Sequence, residues 1–228
     1  MRGVICESNI GRDPPGNITM SYWNTFVENL PGYDDFHAGS RVLDVGFGSG
    51  AQLAAVKARG CKVFGVERAP ELVDAARARG FDVQQATAER LPYESATFDG
   101  LICKVVIPYT DEARAISEWG RVLRPGATAL VSYHGAGYYL RYLAEGENWK
   151  YRAYGLRTVL ATWAYRWTGR RLPGFVGDSL YQAEARLRRH YQKAGLDIET
   201  RVLGRTFWGF PVFIHHALRK RETVNHAG

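Results

Sequence analysis

From residue 41 onward the chain alternates short, mostly apolar runs with amphipathic ones. Arg41–Val45, Lys62–Val66, Asp82–Gln85, Phe98–Lys104 and Thr128–Tyr133 read as strands. Between them, Ala51–Arg59, Pro70–Arg79 and Asp111–Leu123 place apolar residues at helical spacing. Strands and helices joined by short links predict right-handed crossovers and a parallel, doubly wound α/β sheet. Upstream, residues 17–30 carry Tyr22, Trp23, Phe26, Val27 and Leu30 at helix-like intervals, and Pro31-Gly32 stops them, so a leader helix is expected.

Downstream, Asp178–Ala194 puts Leu180, Ala183, Leu187, Tyr191 and Ala194 on one helical face, with Asp178 as N-cap and Gly195 as terminator. Asp197–Leu203 and Phe207–Leu218 follow, joined across Gly204. They lie too close in sequence for a helical crossover and should pair antiparallel. The expected layout is an arm and leader helix (1–38), an α/β core (39–134), an insertion (135–177), a helix and hairpin completing the core (178–219), and a disordered tail (220–228).

The total of 228 residues suits one domain with a modest insertion. Cys6, Cys61 and Cys103 are odd in number and widely separated, so they suggest neither a disulfide framework nor a zinc site, and no metal is expected. Met1–Gly16 lacks the apolar stretch of a signal peptide, and no run approaches the roughly 20 apolar residues that span a bilayer. A cytoplasmic protein, at most peripheral to membranes, is expected. The formal charge of +7 admits an anionic partner without choosing one.

Candidate chemistry begins at the first strand. Arg41-Val42-Leu43-Asp44-Val45 runs into Gly46-Phe47-Gly48-Ser49-Gly50, three glycines at alternate positions after a strand, with a carboxylate at the strand's carboxyl end. Gly46, Gly48 and Ala51 satisfy the G-x-G-x-x-A dinucleotide fingerprint, and Glu67, ending the second strand, could hold a ribose. The loop alone therefore leaves NAD open. A dinucleotide brings a pyrophosphate to the helix N-terminus, whereas a carboxylate at Asp44 suits a cationic ligand.

The glycine loop resembles motif I of the class I S-adenosylmethionine (SAM)-dependent methyltransferases. Ala88-Glu89-Arg90-Leu91-Pro92-Tyr93, followed by Phe98-Asp99, resembles the family's D-A-x-x-L-P-F…F-D block, and Arg121-Val122-Leu123-Arg124-Pro125-Gly126 resembles its R-V-L-K-P-G-G turn. The resemblance covers residues 39–132 and points to the type 11 methyltransferase domain, on the branch that includes the quinone-biosynthesis enzymes. It implies a seven-stranded sheet of order 3-2-1-4-5-7-6 with strand 7 antiparallel, SAM as cofactor and S-adenosylhomocysteine as product. The implied cofactor site comprises Asp44, Gly46, Phe47, Gly48, Gly50, Glu67, Arg68, Thr87, Ala88, Glu89 and Lys104. Thr87 departs from the family's usual Asp at the adenine, which implies a contact either weakened or passed to Glu89, and Ala127 replaces the second glycine of the turn.

An acceptor would face the carboxyl ends of the fourth and fifth strands. His134 is the candidate base and Tyr109 a hydrogen-bonding partner; Tyr22, Tyr109, Tyr138 and Trp163 are candidate substrate contacts. Nucleic acid is not expected. Val106-Ile107-Pro108-Tyr109 lacks the polar residue of the [DNS]-P-P-[YFW] sequence used on exocyclic amines, Asp13-Pro14-Pro15-Gly16 lacks its aromatic, and Cys103 follows Ile102 rather than proline.

Between Tyr138 and Arg171 stand nine aromatics and seven Lys or Arg against two acids. Leu156, Val159, Leu160, Trp163 and Trp167 share one helical face. Three readings stay open: a lid over an apolar acceptor whose arginines meet an anionic group, a helix lying on a membrane surface, or a cap with its tryptophans in the core. The expectation is methyl transfer from SAM to the O, N or C atom of a small aromatic or lipid-like molecule. The alternatives are an NAD(P)-dependent oxidoreductase and a non-catalytic SAM-binding module.

Overall fold

A computed structural model describes residues 31–222 apart from 147 and 178. The expected leader helix, Tyr22, and residues 223–228 of the expected tail lie outside the described residues. Five strands, β1 (Arg41–Val45), β2 (Lys62–Glu67), β3 (Asp82–Gln85), β4 (Phe98–Lys104) and β5 (Leu123–His134), alternate with α1 (Ala51–Ala58), α2 (Pro70–Ala78) and α3 (Glu112–Val122). The insertion forms α4 (Ala136–Glu145) and α5 (Trp149–Thr168). The chain then closes with α6 (Glu184–Lys193), β6 (Leu196–Leu203), a small β7–β8 pair (Thr206–Phe207, Phe210–Pro211) and β9 (Phe213–Lys220).

The main sheet has seven strands in the order β3-β2-β1-β4-β5-β9-β6. Its first five strands are parallel, and β9 runs antiparallel to both β5 and β6. This is the expected order, with β9 in the place of strand 7 because the small hairpin adds two strands. Alternate residues of each strand feed opposite faces. Leu43, Leu101, Val131 and Leu218 pack with Ile116, Trp119, Leu187 and Tyr191 of α3 and α6. Val42, Ile102, Leu130 and Ala217 pack instead with Tyr33, Phe36 and Val56.

Four boundaries differ from the sequence reading, each for a local reason. The Arg124-Pro125-Gly126 turn persists as a bulge inside β5: pairing jumps from Leu123 to Thr128 while β4 advances only from Phe98 to Gly100. Helix α6 starts at Glu184 rather than 178 because the preceding backbone bonds elsewhere. Leu180 N donates to Pro108 O, and Tyr181 N to Thr162 Oγ1. The expected strand from Phe207 is broken at Trp208 and Gly209, whose φ of 48° and 79° make a tight primed turn. The last strand runs to Lys220, and Arg221 pairs with Asp197 at 2.7 Å, so the ordered chain reaches into the expected tail. Asp111 caps α3 by accepting from the N–H of Ala113 and Arg114.

Helices α3 and α6 approach closely, since a Cβ on Gly120 would lie 2.4 Å from Ala194 O. A buried ion pair joins them: Glu112, 3% exposed, accepts from Arg186 Nε, with His190 Nε2 at 3.4 Å. Removing one partner of a buried pair leaves an uncompensated charge. Arg186→Met is expected to destabilise the fold by about 3 kcal/mol, measured by urea denaturation; an unchanged midpoint would show the pair to be dispensable.

Candidate active site

Strand β1 delivers Asp44 to the sheet's carboxyl edge, and the glycine loop turns the chain back into α1. Gly46, Gly48 and Gly50 all adopt left-handed backbone, with φ of 71°, 53° and 76°, which glycine tolerates best. They serve different ends. A Cβ on Gly46 would lie 2.2 Å from Val106 Cγ2, whereas one on Gly48 would meet nothing within 4 Å, leaving open space for a ligand's approach. Phe47 turns away from that space and packs with Leu53, Val73 and Val83.

Asp44 is 4% exposed and its Oδ2 has no hydrogen-bond partner. Burial pushes its carboxyl up to about 7; Lys104 pulls against that shift and Glu67 adds to it, so the three charges share one field. Glu67 closes the loop from the β2 side. Its Oε2 accepts from Gly48 N at 3.1 Å and its Oε1 from the N–H of Arg68 and Ala69 at 2.7 and 3.2 Å. Beyond β3, Thr87 is exposed and Ala88 buried, and Glu89 accepts from Asp111 N at 2.9 Å. The Leu91-Pro92-Tyr93 block is clamped by Arg121, which donates to Tyr93 O, Leu91 O and both oxygens of Glu118.

Strand β4 ends in a strained step. Val105, β-branched, sits at φ 59°, a conformation that costs on the order of 1–3 kcal/mol. It turns the chain so that Val106 lies over Gly46 and the following turn presents Tyr109. The Tyr109 hydroxyl lies 3.4 Å from that of Tyr154 on α5, which lies 3.3 Å from Ser179 Oγ. Burial raises the Tyr109 phenol well above its ordinary value.

His134 ends β5, buried at 4% exposure, with its ring stacked on Tyr138 at 3.6 Å and 6° between planes. Burial lowers its pKa to about 3, so it is neutral at physiological pH. Tyr138, Tyr139, Tyr142 and Tyr154 continue an aromatic cluster from there under the insertion. His134, Tyr109 and Tyr138 are thus brought together. Trp163 is not: it is 61% exposed, because α5 buries Gly155, Thr158, Ala161 and Thr162 and turns its large apolar face outward. A Cβ on Gly155 would lie 2.7 Å from Tyr139 O, so α5 rests backbone-close on α4 where only small residues fit. The reading with lid tryptophans in the core is therefore corrected.

The family model described as "Methyltransferase domain" matches residues 43–131, the segment from β1 to β5. An O-methyltransferase of ubiquinone biosynthesis from Xylella fastidiosa is 30% identical in an alignment of 146 positions that covers 55% of this chain and 59% of that relative. Residues 43–131 are thus similar to the methyltransferase domain family, in agreement with the resemblance to the class I SAM-dependent methyltransferases carried by the sequence motifs. Among solved structures, a SAM-dependent methyltransferase from Methanosarcina mazei superposes with a TM-score of 0.63 at 16% identity, covering 85% of this chain and 99% of that one. The [4+2]-cyclase SpnF does so at 0.62 and 20% identity, covering 95% and 86%. These two show the shared fold.

The methyltransferase match favours SAM among the ligands that the glycine loop left open. The residues fit it. The unpartnered Asp44 oxygen answers the cationic amino-acid end, and Gly48 leaves room for close approach. Glu67 fits with a qualification: of a carboxylate's roughly four lone-pair positions, backbone N–H groups already take three. A grip on both ribose hydroxyls needs one of those bonds to yield.

Three site residues escaped the sequence reading. Val106, which seats the glycine loop, looked like ordinary strand-end apolar sequence. His215, 2.7 Å from Ser132 Oγ through its Nδ1, emerges only from the β5–β9 register. Gln52, 6% exposed with both amide atoms unpartnered, stands in the first turn of α1; a polar residue on an otherwise apolar helix face was the signal available.

Two measurements test this site. A cationic ligand favours ionised Asp44, so affinity for SAM should fall by about tenfold per pH unit below about 7, where binding must expel a proton. Asp44→Asn should lack that limb; identical pH profiles by calorimetry would remove Asp44 from the amino-acid end. Glu67→Ala should weaken S-adenosylhomocysteine binding about 10- to 100-fold, and an unchanged Kd would remove Glu67 from the ribose.

Proposed function

We propose that the protein transfers the SAM methyl group to a small, apolar acceptor, aromatic or lipid-like, held under the α4–α5 lid. The observation that carries this reading is that Asp44 on β1 and His134 on β5 end parallel strands at the same edge of the sheet, separated by β4 alone, and that the tyrosine cluster begins at His134. The ubiquinone-biosynthesis relative supports an oxygen atom as acceptor. The chain spans 59% of that relative's length, and activity and substrate are assigned here as a proposal. The scarcity and wide spacing of cysteines support a cytoplasmic setting.

When bound, SAM supplies a methyl group already activated by its sulfonium. The chain's task is alignment and exclusion of water. Asp44 and Glu67 fix the cofactor, and the tyrosine rings present flat apolar walls to the acceptor. Tyr109 offers a hydroxyl as donor. His134, neutral and desolvated, takes the acceptor's proton at a ring nitrogen. Its low basicity restricts that role to a proton that leaves as the methyl arrives, when the acceptor oxygen has become strongly acidic. Recognition of an anionic group by the lid falls to Arg157, 5.1 Å over the Tyr154 ring, because Arg166 faces solvent and Arg171 donates to Thr110 O.

A second reading, a SAM-binding protein that transfers no methyl group, is favoured by the cyclase that shares this fold and by the closed His134–Tyr138 stack. Radiolabelled SAM offered with phenols, quinones, amines and acidic lipids separates the two. Label is expected on a phenol or quinol, and failure across the panel alongside measurable SAM binding supports the second reading. With a working acceptor, His134→Gln should lower kcat by about a hundredfold, the low end for a positioned base, without changing the Kd for S-adenosylhomocysteine. An unchanged kcat would strip His134 of the base role.

A further inference from the structure

Helix α5 shows solvent its apolar side. Trp149, Leu156, Leu160, Trp163 and Trp167 are 73, 46, 57, 61 and 77% exposed. Projected at about 3.6 residues per turn, they form one stripe about 27 Å long, opposite the buried Gly155, Thr158, Ala161 and Thr162. Lys150 flanks the stripe on one side, Arg152 and Arg166 on the other, and the helix carries no Asp or Glu. Next to α4, the turn of the small hairpin exposes Trp208 and Phe210 at 69 and 51%.

An outward stripe of indoles and leucines flanked by cations is the arrangement of a helix lying in the plane of an anionic bilayer. The indoles and leucines enter the headgroup boundary and the cations meet lipid phosphates. No described helix is long and apolar enough to cross a membrane, so contact is in-plane. Charge argues against a second copy as occupant, since two such faces laid together would oppose cations with no acid on either helix. We propose that the outer face of α5 docks the protein on an anionic phospholipid surface. The inference does not rest on methyl transfer, and its test needs neither cofactor nor acceptor.

The test is flotation with vesicles of phosphatidylcholine, alone or mixed with phosphatidylglycerol. The wild-type chain should float with the mixed vesicles, less with phosphatidylcholine alone, and less again at high salt. Trp163→Ser combined with Trp167→Ser should cut the bound fraction about tenfold or more. Lys150→Glu with Arg166→Glu should abolish the preference for phosphatidylglycerol. All four residues are exposed, and matching thermal melts confirm that the variants fold. Absence of flotation on mixed vesicles overturns the proposal, as does equal flotation of the tryptophan variant. A tryptophan-dependent dimer in sedimentation equilibrium without flotation assigns the face to a second copy instead.

Discussion

The buried pair of Glu112 and Arg186 sits where the core, the acceptor side and the lid meet. Glu112 opens α3 just after the turn that presents Tyr109, and Arg186 belongs to α6. The guanidinium also bonds Gln182 Oε1 and lies 4.9 Å over the Tyr165 ring of α5. Gln182 in turn donates to Ile107 O, so the segment before α6 is held on the turn that follows β4. A charge buried at 3% exposure admits little slack, because each ångström of separation loses attraction that water cannot replace. The position of the candidate acceptor side therefore follows from an ion pair that touches neither cofactor nor substrate.

The donor side obeys a different logic. Glu67 already accepts from three backbone N–H groups before any ligand arrives, whereas Asp44 and Gln52 are buried with polar atoms unanswered. The first arrangement preorganises the loop by fixing Gly48 against the end of β2. The second stores a desolvation penalty that only a polar ligand relieves. Together they make a site that is rigid in shape yet unsatisfied in charge.

Much of this was legible in the chain. The strand–helix alternation, the three glycines and Glu67 depend on local spacing, and local spacing is what a sequence displays. What was illegible depends on partners distant in sequence. The late start of α6 arises because Pro108 O and Thr162 Oγ1 compete for its first backbone donors. The Ser132–His215 contact is created by antiparallel register. Helix α5 is the instructive case. Spacing alone left its apolar stripe inward or outward, and α4 lies so near that the inward face had to be the one made of glycine, alanine and threonine.

That close seating has one more consequence. Gly155 lies against the backbone of α4, and Gly137 of α4 lies against Phe210 O of the small hairpin, where a Cβ would approach to 2.2 Å. Lid and hairpin are thus welded at two points where not even a methyl group fits. Contacts this close hold α4, α5 and the hairpin as one body, so its tyrosines keep their mutual spacing. On the function proposed above, substrate range is then a property of ring identity, to be retuned by exchanging one tyrosine at a time.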